Sequence, residues 1–161
     1  MAVLLYRVDE RLIHGQVVVG WGGRLEPARI IVVDDELAGS PWEQELHVMG
    51  VPAGIEADFV SVPDAVERLP GWETSPERVL LLTRDIATMA RIAATGLLSN
   101  REVNIGGIHH APGRSQVLRY VFLSDAERRL LEEMAGEGVT IVARDLPGGR
   151  GVGLDELVRA R

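Results

Sequence analysis

The residues with the most chemical potential at the closest spacing lie near the start of the chain, in Arg7-Val8-Asp9-Glu10-Arg11-Leu12-Ile13-His14-Gly15-Gln16-Val17. An apolar run from Ala2 to Val8 ends in a charged segment, places His14 shortly after Arg11, and leads into a helix-like stretch. An imidazole with an ordinary pKa of about 6.5 is largely neutral near pH 7 and keeps a lone pair on one ring nitrogen. Such a nitrogen can attack phosphorus and later leave. Arg11 offers a planar fork matched to phosphate oxygens. Gly15 and Gln16 would form the first turn of a helix, whose N–H groups are unsatisfied and favour an anion. Asp9 could bond the imidazole or hold Arg11. These parts suit stabilisation of a transferring phosphoryl group. A surface or helix-capping histidine beside an arginine presents the same residue types, so composition of the segment alone leaves both readings open.

The elements that must position these residues follow from the rest of the chain. Its 161 residues are enough for one domain with a real core. The 46% hydrophobic and 25% charged fractions are those of an ordinary globular protein. The absence of cysteine excludes a disulfide framework, a thiolate metal site and a thiol nucleophile. All 17 basic residues are arginine, which excludes Schiff-base and P-loop lysine chemistry; the bias itself has an ordinary origin in genome composition or thermophily. A net charge of −7 argues against a nucleic-acid partner. No secretory leader pattern and no apolar run of roughly 20 residues is read, so a cytoplasmic location is expected.

Strands are expected at Val3–Val8, Arg29–Val33, Ala57–Val62, Arg78–Leu82, Glu102–Ile105, Val117–Phe122 and Val139–Ala143. Ile30-Ile31-Val32-Val33 and Val79-Leu80-Leu81-Leu82 are apolar without alternation, as in strands covered on both faces. Helix starts are marked by Ser40-Pro41-Trp42-Glu43 and by the capping-box pattern Ser124-Asp125-Ala126-Glu127, with further helices over Asp85–Thr95 and Pro63–Leu69. The alternation predicts an α/β fold: an open, mainly parallel sheet of about six or seven strands with helices on both faces. Only a loop separates Ile105 from Val117–Phe122, which admits an antiparallel or edge strand there. Residues 146–161 read as a mobile tail with a terminal helical turn or two over Leu154–Arg161.

Ligands of a parallel sheet collect at the carboxyl ends of its strands. Gly106-Gly107-Ile108-His109-His110-Ala111-Pro112-Gly113-Arg114 follows such an end and is either a second wall of the phosphate pocket, part of a docking surface, or a plain turn. Thr83 and Arg84 follow another strand end. They serve phosphate binding or docking, or else Thr83 or Asp85 caps the next helix. Asp34-Asp35-Glu36 reads as a solvated loop rather than a magnesium site, and His47 as a structural or exposed helix residue. Adjacent His109 and His110 rarely face one ion and no further ligand cluster is spaced for one, so no metal is expected. A dinucleotide fingerprint is absent.

The string Arg-x-Asp-x-Arg-Leu-Ile-His-Gly-Gln-Val followed by Trp21 resembles the active-site signature of IIB components of the mannose/sorbose family in the bacterial phosphoenolpyruvate-dependent sugar phosphotransferase system (PTS). The resemblance continues through Ile30–Asp35, Val79–Thr83 and Val103–Ile108, over roughly residues 2 to 145. It implies a single IIB domain spanning residues 1–161 and a protein–phosphohistidine–sugar phosphotransferase. His14 would accept phosphate on Nδ1 from a phosphohistidine of a IIA protein and pass it to a sugar held by membrane IIC/IID components. Arg11 falls on the phosphate-stabilising position, and Asp9 and Gln16 shape the loop. No cofactor is implied beyond the carried phosphate. The domain would associate peripherally with the membrane permease, and a homodimer is left open. Arg7, Arg11, Arg84 and Arg114 are expected to form a basic rim for an acidic donor surface. A regulatory phospho-acceptor that serves no sugar, and a small-anion binding module without transfer chemistry, are the alternatives.

Overall fold

The computed structural model describes residues 3–159. Ala2, expected to open the first apolar run, and Ala160 and Arg161, expected in the last helical turn, lie outside them. The unalternating apolar runs form strands β1 (Val3–Val8), β2 (Arg29–Val33), β3 (Glu56–Val60), β4 (Val79–Thr83), β5 (Glu102–Ile105) and β8 (Thr140–Ala143). With the short β9 (Val152–Gly153) they make a seven-stranded sheet in the order β3-β2-β4-β1-β5-β8-β9. Each neighbouring pair from β3 through β8 is parallel, and β9 runs antiparallel to β8 at the edge. The expected fold class is the observed one.

Residues of opposite parity feed two cores. Val8, Ile31, Val33, Leu81 and Ile105 pack under helices α4 (Val62–Thr74), α5 (Ile86–Ala93), α6 (Asp125–Gly136) and α7 (Leu154–Arg159). Leu5, Ile30, Val32, Leu80 and Leu82 face the other side with Val17, Trp21 and Leu37. That second layer starts as a π-helix (Gln16–Trp21), runs on into α1 (Gly22–Leu25), and includes α2 (Asp35–Ala38). Helix α3 (Pro41–Val48) buries no residue of its own.

The strand order sets the position of the site. The chain leaves β1 toward β2 on one side, and leaves β5 toward β8 on the other. The loops after β1 and β5 therefore part at the carboxyl end of the sheet, which opens a crevice where ligands of doubly wound folds bind.

Several elements differ from expectation. The single strand expected at Val117–Phe122 is two, β6 (Ser115–Leu118) and β7 (Val121–Leu123), paired antiparallel in a separate sheet with Arg119 and Tyr120 at the turn. This hairpin clamps the loop after β5: Ile108 N–H donates to Tyr120 O at 3.0 Å, and Phe122 N–H to Ile108 O at 2.9 Å. Helix α4 runs through Pro70, because Leu69 and Trp72 on either side of it are buried. The Ser124–Glu127 capping box forms, whereas the Ser40 hydroxyl bonds the Glu43 carboxylate at 3.2 Å instead of the helix backbone.

The turn-rich stretch read as the start of a mobile tail leads into β9 and α7, and Val152 and Leu157 are buried in the main core. Truncating Leu157 to Ala should cost about 2–5 kcal/mol, as for other buried leucines, measured as a shift in the urea unfolding curve. A change below about 0.5 kcal/mol, the usual surface value, would restore the loose-tail reading.

Candidate functional site

Arg7 and Asp9 lie at the carboxyl end of β1, and both side chains are 0% exposed. Position 7 shares its strand face with Leu5 and registers beside Asn104 on β5, so the guanidinium is placed under the second layer. There Arg7 Nη1 donates to Asn104 Oδ1, and to Arg144 O at 2.8 Å. Its Nη2 donates to Asp9 Oδ2 at 3.2 Å and to Asp145 O at 3.1 Å. Trp21 covers the cation, with its ring centroid 5.2 Å from the guanidinium carbon, and donates its indole N–H to Asp145 O at 3.1 Å. The expected α-helical turn is a π-helix here, its last residue Trp21 anchored by these contacts.

Asp9 is the hub. Its Oδ1 accepts from the Arg11 backbone N–H at 3.0 Å and from Arg11 Nε at 3.2 Å. Its Oδ2 accepts from Arg11 Nη2 at 3.3 Å and from the Gly107 N–H at 3.2 Å. Burial alone would push the carboxyl up. The contacts with His14, Arg11 and Arg7 outweigh that and hold it well below the usual carboxylate range. Burial also pulls the Arg7 guanidinium below its ordinary value, while Asp9 works in the opposite direction.

Between Arg11 and His14 the chain turns through Leu12, a non-glycine residue at φ 56°. That backbone costs about 1–3 kcal/mol and is held because the Leu12 side chain is buried in the second core. The turn brings His14 back over Asp9, with Nε2 at 3.2 Å from Asp9 Oδ2, off the line of an ideal N–H···O bond. Nδ1 accepts the Gln16 N–H at 3.3 Å, so the lone pair is on Nδ1 and the proton on Nε2, assigned from these partners. Gln16 Oε1 in turn accepts from Arg11 Nη2 at 2.6 Å.

The loop after β5 closes the other side. A methyl group on Gly106 would fall on the Arg7 guanidinium and within 2.6 Å of Asp9 Oδ2, and one on Gly107 would sit 3.0 Å from Arg11 Nη2. The two glycines let this backbone lie against the charged cluster. Beside it Glu10 accepts from the His109 backbone N–H, and from Arg114 Nη1 at 3.0 Å. A cavity of about 100 Å³ opens here, lined by Arg11, Gln16, Gly107, His109, Arg119, Tyr120 and Asp145.

Residues 3–161 match the family described as the PTS system sorbose subfamily IIB component. The chain belongs to that family. It is 29% identical to N-acetylgalactosamine-specific phosphotransferase enzyme IIB component 1 of Escherichia coli, over 91% of this chain and 92% of that one. It is 30% identical to the mannose-specific EIIAB component of E. coli over 89% of this chain, which spans 44% of that longer protein. The solved IIBSor domain of the Klebsiella pneumoniae sorbose permease superposes with a TM-score of 0.88 at 27% identity, covering 100% of this chain and 99% of that one. The manxB structure from Thermoanaerobacter tengcongensis gives 0.86 at 30% identity, covering 98% and 95%. This IIB component therefore works in phosphoryl transfer for sugar uptake.

Within the IIB chain, Asp9, Arg11, His14, Gly15, Gln16, Gly106, Gly107 and His109 gather at the β1–β5 crevice. The expected basic rim does not form. Arg7 is an internal strut with its cation committed to protein groups, so it cannot face a donor protein. Arg114 is paired with Glu10 and Glu127, and Arg84 lies 3.5 Å from Asp34. Thr83 is buried: its carbonyl accepts the Asp9 N–H at 3.0 Å and its hydroxyl donates to Asp85 O at 3.0 Å. Asp85 caps α5 through the Thr88 N–H at 2.7 Å, the plainer of the two sequence readings. Asp34 caps α2, and Asp35 binds Val62 N–H and Arg91. No group of acidic or histidine side chains among the described residues could hold a metal ion.

The sequence reading missed Asn104, Trp21 as a lid on Arg7, Glu10, and the Arg119–Tyr120 turn with Asp145. Asn104 carried a signal, a polar residue inside the apolar run Val103–Ile105 that matches Arg7 in the neighbouring strand.

Asp9→Asn should cost about 3–5 kcal/mol at pH 7, because it leaves the buried Arg7 charge uncompensated. The depressed carboxyl contributes stability above its ordinary value of 3.8, which is lost as pH falls below it. Urea midpoints taken from pH 5 down to pH 2 should therefore fall less steeply in Asp9→Asn than in the native protein. Parallel acid limbs would contradict the paired carboxylate.

Proposed function

We propose that His14 is the phosphoryl carrier of this IIB component, phosphorylated on Nδ1 by a IIA phosphohistidine and discharged to a sugar held by membrane IIC/IID partners. The observation that carries this is the pair of contacts on the ring, the Gln16 N–H at Nδ1 and Asp9 Oδ2 beside Nε2, which assigns the lone pair to Nδ1. As the Nδ1–P bond forms, the donor's N–P bond breaks and its electron pair returns to the donor ring. The His14 ring becomes cationic, and Asp9 beside Nε2 stabilises that charge without taking the proton. The Gln16 N–H, freed from Nδ1, turns to a phosphoryl oxygen. Arg11 supplies the adjoining positive charge from a side chain 35% exposed, its fork aligned by Asp9. In the second transfer a sugar hydroxyl oxygen takes the phosphorus on the face opposite Nδ1, the N–P electron pair returns to Nδ1, and the hydroxyl proton leaves on the acceptor side to a base of the permease partner or to water.

Among the described residues no helix is long and apolar enough to cross a membrane. Nothing in the site favours a purely regulatory acceptor over transport.

Incubation with phosphoenolpyruvate, the two general phosphotransferase proteins and a matching IIA should give an acid-labile phosphate that is lost in His14→Ala. Retention of the label in that variant would overturn the assignment. Arg11→Ala should keep the labelled site but slow transfer by about 10²-fold, as for loss of an oxyanion-stabilising donor, with Arg11→Lys in between.

A further inference from the structure

Arg11 is only partly available to a phosphoryl group. Its Nε and Nη2 are bonded to Asp9, and Nη2 also to Gln16. Arg7 is sealed beneath. A phosphoryl group brings two negative charges into a cluster whose cations already share Asp9. The cavity beside Gln16 is lined by one other arginine, Arg119.

Arg119 occupies the β6–β7 turn and is 80% exposed on its side chain. Its Nη2 donates to Asp145 Oδ2 at 2.9 Å, and the guanidinium lies 5.8 Å from the Tyr120 ring centroid. Asp145 is 15% exposed on its side chain, so the pair is open to solvent on the arginine side, where a doubly charged phosphoryl group is the stronger partner for the cation. Asp145 does not depend on the pair for its place, since its backbone carbonyl is held by Arg7 and by the Trp21 indole. The turn itself is fixed against the loop after β5 through Tyr120 O and Ile108 N–H. A solvent-facing cation is thus mounted on a turn that lines the same cavity as Arg11.

We propose that Arg119 is a second phosphoryl-binding residue, which leaves Asp145 and bonds the phosphoryl oxygens when His14 is phosphorylated. The assignment rests on His14 as carrier. It makes Asp145 a resting partner that holds the cation between turnovers, and it adds a second arginine charge to the cavity that Arg11 lines.

The test uses the full chain with phosphoramidate, a small phosphoryl donor that needs no protein docking. Arg119→Ala should label His14 about tenfold more slowly than the native protein, with an unchanged urea midpoint, and Arg119→Lys should recover part of the rate. In the native protein the Arg119 Nε–H resonance should shift on phosphorylation, and it should stay put in His14→Ala treated the same way. Native labelling rates in Arg119→Ala, or an Nε–H resonance indifferent to phosphorylation, would overturn the proposal. Loss of label in His14→Ala beside a neutral Arg119→Ala would remove Arg119 alone. Label retained in His14→Ala would remove the carrier reading itself.

Discussion

The structure depends on a buried ion pair, Arg7 with Asp9, at the end of the central strand. Removing both charges from water costs several kcal/mol per ion, and such a pair persists only where further hydrogen bonds complete each group. Those bonds come from distant parts of the chain. Asn104 belongs to β5, the Arg144 and Asp145 carbonyls follow β8, and Gly107 belongs to the loop after β5, while Trp21 at the end of the π-helix covers the cation with its ring. Satisfying one cation and one carboxylate therefore draws four segments to the same point. The crevice is built by this requirement as much as by the hydrophobic cores on either side of it.

The same pair also orients the imidazole of His14, the proposed phosphoryl carrier. Asp9 gives Oδ1 to Arg11 and shares Oδ2 among Arg7, Arg11, Gly107 and His14. With this many donors the carboxylate remains ionised, and it orients the ring by facing Nε2. Arg11 is oriented in the same way, because its backbone and its fork both bond Asp9. A single acid thus orients both the His14 ring and the cation beside it. The strained Leu12 backbone is the local cost of bending the chain back far enough for both contacts.

The local chemistry was legible in the sequence because Asp9, Arg11, His14 and Gln16 are close neighbours, and a short loop after a strand brings such residues together. The sheet was legible because unalternating apolar runs have few other uses. What escaped depended on pairing at long range. Arg7 reads as a charge beside a loop until strand parity places it with Leu5 on a covered face, and Asn104 then becomes its partner. The Arg119–Tyr120 turn was hidden inside one apolar-rich run, since Val117–Phe122 reads as one strand as easily as the two arms of a hairpin. The π-helix has no sequence signature apart from Gly20, where a side chain would meet Leu146. The last strand and helix were obscured by the glycines before them, although Val152 and Leu157 had the apolar character of buried residues.

The size of the cavity bears on where sugar specificity resides. Pockets that enclose a small molecule usually measure about 300–1,000 Å³ and are mostly apolar. The cavity beside Gln16 is about 100 Å³ and is lined largely by charged and hydrogen-bonding groups. It can take a phosphoryl group and its partners, but it offers no enclosed apolar bed for a sugar ring. The relatives carry names that specify N-acetylgalactosamine, mannose, fructose and sorbose, and the solved sorbose and N-acetylgalactosamine IIB structures superpose on this chain with TM-scores of 0.88 and 0.84. A shared domain serving different sugars follows if this site handles only the group being moved. Under that condition discrimination between sugars lies outside this site.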